Sequence, residues 1–294
     1  MKFRAAVVRE LERVRHEIRA WRDDGVEVED ADGAVRFHSL ANVYRDVLSQ
    51  SPDEPATVVR EYFRRVLAAE AGRPTDLPTT IAEAADRLRL RIGLPHPEAE
   101  NAPWSTPIPG AEELVLSLVF DYPTMVAYVT PAMVAQSGES IDHWVRVAKL
   151  NVGNSTPDDW LQVAFEEQGI LVGKCDHTYD AARALVFTDL TDSDAAGWLV
   201  AIPGRDVLYA RKVEPAGVPY FHILKMIATD AVAKLPDPIN DNVYWVRPGQ
   251  PWVNIPVDVR ENNVSVYPPP EFVELLNITV TNPNEVLEPG EAAP

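Results

Sequence analysis

The spacing of apolar residues changes from a helical to a strand-like period across one proline-rich segment, and this change limits the folds open to the chain. Before it, segments 39–49 and 55–71 place apolar residues three and four positions apart, as is typical of helices packed on a core. Segment 93–110 contains five prolines and shows no period. Beyond it, segments 114–120 and 125–130 predict two paired strands. The sequence therefore predicts a helical module, a proline-rich linker and a body that contains a sheet.

The first 40 residues predict one helix and one hairpin. Apolar residues recur at alternating spacings of four and three along residues 3–22, which predicts the helix. A stripe this narrow is also typical of a coiled-coil seam, so self-association through this helix stays open beside packing on its own domain. Apolar residues alternate on both sides of residues 30–33, which predicts a hairpin that turns at Asp32-Gly33.

Hairpin signals dominate the remainder, without a regular alternation of strand and helix. Helices are predicted over 141–150, with Ser140 as the N-cap, and over 178–188 and 218–235. Strands are predicted over 161–165, 170–173, 198–202, 207–213, 243–246, 253–256 and 264–267. Helices and strands mixed in this way predict an α+β fold with a largely antiparallel sheet.

Charge follows the same division of the chain. The formal net charge is −18, but residues 1–95 carry 16 basic and 17 acidic residues, whereas the remainder carries 11 basic and 28 acidic ones. We therefore assign residues 1–95 to a helical module with a hairpin, 96–110 to a linker, 111–276 to an acidic α+β body and 277–294 to a disordered tail. An acidic surface opposes phosphate backbones and anionic membranes, so neither nucleic acid nor membrane is an expected partner.

Several signals for known chemistry are missing from the sequence. A single cysteine, Cys175, excludes a disulfide scaffold and a multi-cysteine metal site. The sequence shows no glycine-rich phosphate loop, Gly-x-Ser-x-Gly motif or His-Glu-x-x-His motif, so neither a cofactor nor a metal is predicted. It also shows no export signal, and its apolar runs are shorter than the roughly 20 residues of a membrane span. The expected location is the cytoplasm.

Charged residues on the segment predicted as helix 178–188 and on the following hairpin turn are the first candidate site. Asp176, Asp180 and Arg183 share one helix face if that helix begins early enough, and Arg205 and Asp206 follow a Pro-Gly pair at a strand junction. If the helix lies beside the turn, these residues form one polar cluster. The cluster is either structural bracing or a site for a small anionic or amide-bearing molecule, since arginine pairs suit carboxylate and phosphate.

Two further groups have both a functional and a structural interpretation. Cys175 and His177 lie two positions apart, so a strand would direct them to one face as a nucleophile and its base, whereas a lone cysteine is otherwise a small buried filler. Trp245 and Trp252 flank the polar, proline-containing stretch that begins at Arg247. Together these three residues predict an exposed aromatic ridge of the kind found at protein interfaces, although core packing is the alternative for each tryptophan.

Several short phrases carry a family resemblance. They are Leu-Ala-Asn-Val-Tyr-Arg at 40–45, Tyr-Val-Thr at 128–130, Ala-Lys-Leu-Asn-Val at 148–152, Tyr-Asp-Ala-Ala-Arg-Ala-Leu at 179–185 and Val-Ala-Ile-Pro-Gly-Arg-Asp-Val-Leu at 200–208. With them, about residues 26–270 resemble the uncharacterised YtpQ-like family of bacterial cytosolic proteins. Ala182 departs from the phrase that the family usually shows, where a serine stands. The resemblance implies a soluble, cytoplasmic α+β protein and brings no established reaction.

These observations favour a non-enzymatic cytoplasmic adaptor that works by binding a protein partner or by self-association. The motivation is the lack of a catalytic motif together with the C-terminal region rich in proline and tryptophan. The alternative is a hydrolase-type enzyme or a small-ligand-binding protein that uses the charged residues at 176, 180, 183, 205 and 206.

Overall fold

The fold is α+β, as predicted, with helices packed on antiparallel sheets. The computed structural model describes residues 2–22, 25–29, 33, 35–50, 53–71, 78, 80–84, 86–96, 102–122, 125–173, 175, 179–191, 196–214, 220–235, 237–260 and 263–276. The predicted disordered tail, 277–294, lies outside the described residues.

The N-terminal module packs three helices on a small antiparallel sheet. Its elements are α1 (Lys2–Arg13), β1 (Glu17–Trp21), β2 (Gly25–Glu29), β3 (Val35–Ser39), α2 (Ala41–Gln50) and α3 (Ala56–Ala71). The β2–β3 hairpin and the two later helices confirm the sequence predictions. Val7 and Leu11 of α1 are fully buried in the core of this module, so that part of the apolar stripe is covered within the chain.

The predicted helix over 3–22 is wrong beyond Arg13. Arg15 adopts a left-handed conformation with φ of 60°, and the backbone N–H of His16 donates to the Leu11 carbonyl. This is a Schellman-type helix end, which glycine usually supplies. Residues Glu17–Trp21 then pair with β2 as a strand. No glycine marks the end in the sequence, so the apolar spacing concealed the change of structure.

Glu10 is a buried carboxylate that joins two helices of this module. It is 2% exposed and accepts hydrogen bonds from Arg13 Nε at 2.8 Å and from Arg60 Nε at 3.0 Å. Burial acts to raise its pKa, but these bonds and the two positive charges outweigh it and lower the pKa below the ordinary value of 4.5. Glu10 therefore stabilises the folded state above the pKa of the unfolded chain, and this contribution is lost as pH falls through the folded-state value.

Replacing Glu10 with glutamine should lower the free energy of unfolding by about 1–3 kcal/mol at neutral pH, because two arginines lose a charged partner. The difference from the wild type should shrink as the pH falls below about 4.5. Chemical denaturation at several pH values measures it. Glu12→Gln, on the exposed face of the same helix, is the control and should change little. A difference that is independent of pH would contradict the prediction.

The next sheet begins inside the region assigned to the helical module. Its strands are β4 (Leu88–Gly93), β5 (Ser105–Ile108), β6 (Ala111–Tyr122) and β7 (Met125–Tyr128), and α4 (Ile81–Ala84) precedes them. β6 is central and pairs antiparallel with β4, β5 and β7. Residues 88–93 thus pack with the body, and residues 96–110 contain a strand. β5 tolerates Pro107 because it is an edge strand, where a missing N–H costs little.

Two helices follow this sheet, α5 (Pro131–Ser137) and α6 (Ile141–Asn154). Ser140 caps α6 as predicted, since its hydroxyl accepts from the N–H of His143 at 3.3 Å. Trp144, Ala148 and Val152 are buried and pack on the apolar face of β4 and β6. The opposite face of the same strands carries Arg89, Arg91 and Ser117, together with the buried Val115 and Val119.

Six of the following strands form a second large antiparallel sheet in the order β13-β12-β10-β11-β9-β8. These strands are β8 (Leu161–Phe165), β9 (Ile170–Gly173), β10 (Trp198–Gly204), β11 (Val207–Lys212), β12 (Val243–Val246) and β13 (Val253–Ile255). A 3-10 helix (Asp180–Leu185) and α7 (Phe187–Leu190) lie between β9 and β10, and α8 (Phe221–Lys234) follows β11. The chain continues through β14 (Val257–Arg260), β15 (Asn263–Val266) and α9 (Pro270–Leu276).

The two large sheets share a core. One apolar cluster contains residues of β4, β6, α6, the 3-10 helix and β10, whereas a second cluster lies beneath α8 and α9 on the sheet that contains β12. The strands predicted over 161–213 and 243–267 are confirmed, and β14 was not predicted. None of the helices in the described part of the chain is long and apolar enough to cross a membrane.

Candidate functional site

A cavity of about 420 Å³ lies where the N-terminal module meets both large sheets. α2 contributes Arg45, the end of β4 and the residues after it contribute Arg91 and His96, and the turn after β10 contributes Arg205. Ser117, Tyr128 and Asp237 complete its polar lining. We call this cavity the arginine pocket.

Strand pairing builds the floor of the arginine pocket. Arg91 on β4 lies directly opposite Ser117 on β6. Residues directly opposite in a sheet share a face, so these side chains lie in one row. Leu90 and Leu118, one position away, point to the other face and are fully buried in the core. The two-residue alternation of β4 therefore sets a polar floor above an apolar core.

The arginines of the pocket differ in their partners. Arg205 forms an ion pair with Asp237 and lies 3.6 Å from the Asp206 carboxylate. The Arg91 guanidinium lies over the Tyr128 ring, 5.3 Å from its centroid. Among the described residues, no carboxylate reaches ion-pair distance of Arg91, which makes its guanidinium available to an anion. Arg45 is exposed and lines the same cavity from the helical module.

Two carboxyl groups near the pocket, those of Asp206 and Asp46, hold their protons more readily than usual. Burial raises the pKa of Asp206, and the charges of Asp237 and Asp180 add to the rise while Arg205 opposes it. Burial also raises the pKa of Asp46 on α2, and Asp237 adds to that rise. Both shifts raise the pH at which these two carboxyl groups lose their protons.

His96 and Ser117 form a hydrogen-bonded pair within the arginine pocket. His96 Nε2 lies 3.3 Å from Ser117 Oγ, and the imidazole meets the Tyr128 ring edge-to-face at 5.1 Å. Burial and the charge of Arg91 lower the pKa of His96 below its ordinary value of 6.5, so the imidazole is neutral at pH 7. Sequence reasoning missed both residues. The available signal was a single serine inside the otherwise apolar stretch 114–120.

The predicted Asp/Arg cluster is divided between two places. Asp180 and Arg183 form a fully buried ion pair, 0% and 2% exposed, and do not line the arginine pocket. Asp180 also accepts a hydrogen bond from the Cys175 N–H at 2.8 Å, and Arg183 donates to Thr156 Oγ1 at 3.0 Å. These contacts are consistent with structural bracing, one of the two interpretations of the cluster.

The other members of that cluster lie on or near the hairpin turn. The N–H of Ala181 donates to the Arg205 carbonyl at 3.0 Å, so the helix does lie beside the turn as the sequence suggested. The Arg205 side chain nevertheless enters the arginine pocket, and Asp206 lies half-buried beside it. Asp176 lies outside the described residues.

Cys175 does not have the environment of a reactive thiolate. Burial raises the pKa of its thiol, the Arg183 charge opposes this rise, and the Asp180 carboxylate adds to it. A thiol with a raised pKa is a weaker nucleophile at pH 7 because less of it is ionised. His177, its candidate base, lies outside the described residues.

The predicted exposed aromatic ridge is wrong. Trp245 is 2% exposed and its Nε1 donates to the Ala196 carbonyl at 2.7 Å, while Trp252 is 8% exposed and packs against Tyr244. Arg247 covers the Trp245 ring at 3.6 Å and pairs with a glutamate of α9. The exposure was mispredicted because β12 is covered on both faces, whereas the neighbouring prolines in the sequence are typical of an exposed loop.

The arrangement suits binding of an anion more than binding of a metal. Within the described ranges, no group of three or more His, Cys, Asp or Glu side chains is placed to hold a metal ion. Comparison of the chain with protein families, with curated proteins and with solved structures finds no match. The chemistry of the arginine pocket is therefore the basis for a functional proposal.

Proposed function

We propose that the protein binds a small organic anion, bearing a carboxylate or phosphate group, in the arginine pocket. The observation that carries the proposal is the Arg91 guanidinium, which lines a cavity and has no carboxylate partner among the described residues. A guanidinium offers paired donors that match carboxylate and phosphate oxygens. Because the chain carries a formal net charge of −18, an anion is attracted to this cationic cavity more strongly than to the acidic surface around it.

The size and the walls of the pocket narrow the ligand class. A volume of about 420 Å³ lies within the usual range of small-molecule sites. Ile92, Leu94 and Ile239 provide apolar lining beside the guanidinium groups. The expected ligand therefore carries an anionic group together with a short hydrocarbon portion.

Arg45 and Arg205 extend the same chemistry across the junction of the fold. Arg45 comes from the helical module, whereas Arg205 comes from the β10–β11 turn and is held by Asp237. A ligand that contacts both residues would bridge the module and the body. The protein-binding role stays a prediction, and the ridge on which it depended is buried.

Replacing Arg91 with methionine should weaken anion binding by about 10- to 100-fold, because a charge-assisted hydrogen bond contributes about 1.5–3 kcal/mol. Calorimetric titration with inorganic phosphate, citrate and succinate measures the change, and the affinity of the wild type should fall with added salt.

Arg89→Met is the matched control for this titration. Arg89 lies two positions away on the same strand, does not line the arginine pocket, and donates to the carbonyls of Asp86 and Leu88 at 2.9 and 3.0 Å. Its replacement should leave anion affinity unchanged. Equal affinities of the Arg91 variant and the wild type, or no binding of any of these anions at millimolar concentration, would contradict the proposal.

A further inference from the structure

We infer that Ser117 and His96 are the nucleophile and general base of an esterase site, which acts on small anionic esters held in the arginine pocket and so rests on the proposed anion binding. The substrate class is a carboxylic ester that carries a second, charged carboxylate or phosphate group. Such a molecule combines the anion that Arg91 would bind with a carbonyl carbon within reach of Ser117.

The geometry of the pair is that of a nucleophile and its base. With the proton of the imidazole on Nδ1, Nε2 accepts a hydrogen bond from Ser117 Oγ at 3.3 Å, a distance typical of such pairs before a substrate tightens them. Ser117 lies on the central strand β6, and the edge-to-face contact with Tyr128 positions the His96 ring. Ser117 is therefore positioned by the central strand, and His96 by its contact with Tyr128 on β7.

The position of the hydroxyl is unusual for a purely structural serine. Ser117 is 2% exposed within a stretch of β6 whose neighbours Leu116 and Leu118 are buried apolar residues. It nevertheless lines the arginine pocket, together with the imidazole that it contacts. Ser117 is therefore a buried hydroxyl that meets both a cavity and an imidazole.

The charges around the pair favour the reactive protonation state. Arg91 faces Ser117 from β4, and Arg45, Arg205 and Asp237 line the same pocket. Burial and the Arg91 charge lower the pKa of His96, so the free base is present at neutral pH. Arg91 is directly opposite Ser117 in the strand register, which places the charged group of a bound ester beside the nucleophile.

The reaction needs only the ester and water. Ser117 Oγ bonds to the carbonyl carbon of the ester while His96 Nε2 takes the proton of the serine hydroxyl. The bond between the carbonyl carbon and the alcohol oxygen then breaks, and the alcohol leaves with that proton. Water next gives a proton to His96 and bonds to the acyl carbon. The bond to Ser117 Oγ breaks, the serine recovers the proton, and the acid is released. One ester and one water give one acid and one alcohol.

Two readouts on the full chain test this inference. A fluorophosphonate probe, followed by peptide mass spectrometry, should label Ser117 in the wild type and leave this position unlabelled in Ser117→Ala. The rate of hydrolysis of mono-4-nitrophenyl succinate should fall by about 100-fold or more in both Ser117→Ala and His96→Gln. The His96 variant keeps a hydrogen-bonding side chain, so a structural role alone would not slow the reaction.

Ser105→Ala is the matched control, because Ser105 lies opposite Ser117 on β5 and does not line the pocket. This variant should be labelled by the probe at Ser117 and should hydrolyse the ester at the rate of the wild type. The rate for the wild type should decline only below pH 6.5, as His96 takes up a proton. Thermal unfolding of each variant separates lost reactivity from lost structure.

The outcomes distinguish this inference from the proposed function. If anion binding depends on Arg91 but Ser117 is not labelled and no ester is hydrolysed, the esterase inference is overturned. The proposed function then stays intact. Unchanged hydrolysis in folded His96→Gln would overturn the role of the base. Hydrolysis that depends on Ser117 and His96 but not on Arg91 would instead contradict the proposed anion binding.

Discussion

Replacing Gly110 with alanine should lower the free energy of unfolding by about 3 kcal/mol or more. Gly110 has a φ of +82°, and a Cβ built there would lie 1.8 Å from the carbonyl oxygen of Trp252. That oxygen belongs to the backbone and cannot rotate away, so either the turn or the facing segment must move. Urea denaturation followed by tryptophan fluorescence measures the loss.

Gly33→Ala separates backbone strain from the clash. Gly33 has nearly the same φ, +81°, but a Cβ there would meet nothing within 4 Å. The left-handed conformation alone should cost about 1–2 kcal/mol. A loss of similar size in the two variants would show that the approach of Gly110 to Trp252 contributes nothing to stability.

The contact at Gly110 joins the two large sheets. The N–H of Trp252 donates to the Pro109 carbonyl at 2.9 Å, which fixes the turn before β6 to the segment before β13. Trp252 in turn packs against the ring of Tyr244 on β12. Residues 105–110 of the predicted linker are therefore part of the packed structure, although the composition of that segment alone indicates a linker.

Local signals in the sequence were sufficient for much of the fold. The β2–β3 hairpin and the Ser140 cap depend on residues a few positions apart, and both are confirmed. The end of α1 was missed because Arg15 takes the conformation that glycine usually marks. The strand at 88–93 was also missed, although its leucines and arginines alternate with a period of two, as a half-buried strand requires.

The candidate site could be predicted only in part. Arg205 was singled out because a Pro-Gly turn precedes it, and it does line the cavity. Arg91, His96 and Ser117 come together because β4 pairs with β6, and the serine lies 21 positions beyond the histidine. No pattern of residues close together in the sequence indicates the pairing of β4 with β6. The sequence left two alternatives for Trp245, an exposed ridge or core packing, because packing on both faces of its sheet decides between them, and the structure confirms core packing.

Replacing Asp180 with alanine should lower the free energy of unfolding by about 3–5 kcal/mol, because it leaves the guanidinium of Arg183 buried without a counter-charge. Arg183 is 2% exposed, and its other partners are the Thr156 hydroxyl and the face of the Trp160 ring, 6.0 Å away. Neither partner neutralises its charge. The N–H of Cys175 also loses its acceptor. Small domains are stable by about 5–15 kcal/mol, so this loss is a large share of the total.

Asp230→Ala is the matched control, since Asp230 pairs with Lys234 within α8 but both side chains are more than half exposed. Its loss should be below about 1 kcal/mol, as for other surface pairs.

Replacing both Asp180 and Arg183 with apolar residues should recover part of the stability, because the uncompensated charge is removed with its partner. Equal stability of the two single variants would show that the buried pair is not bracing. If folded Asp180→Ala loses as much succinate affinity as Arg91→Met does, the pair instead takes part in ligand binding, which is the other interpretation of the cluster.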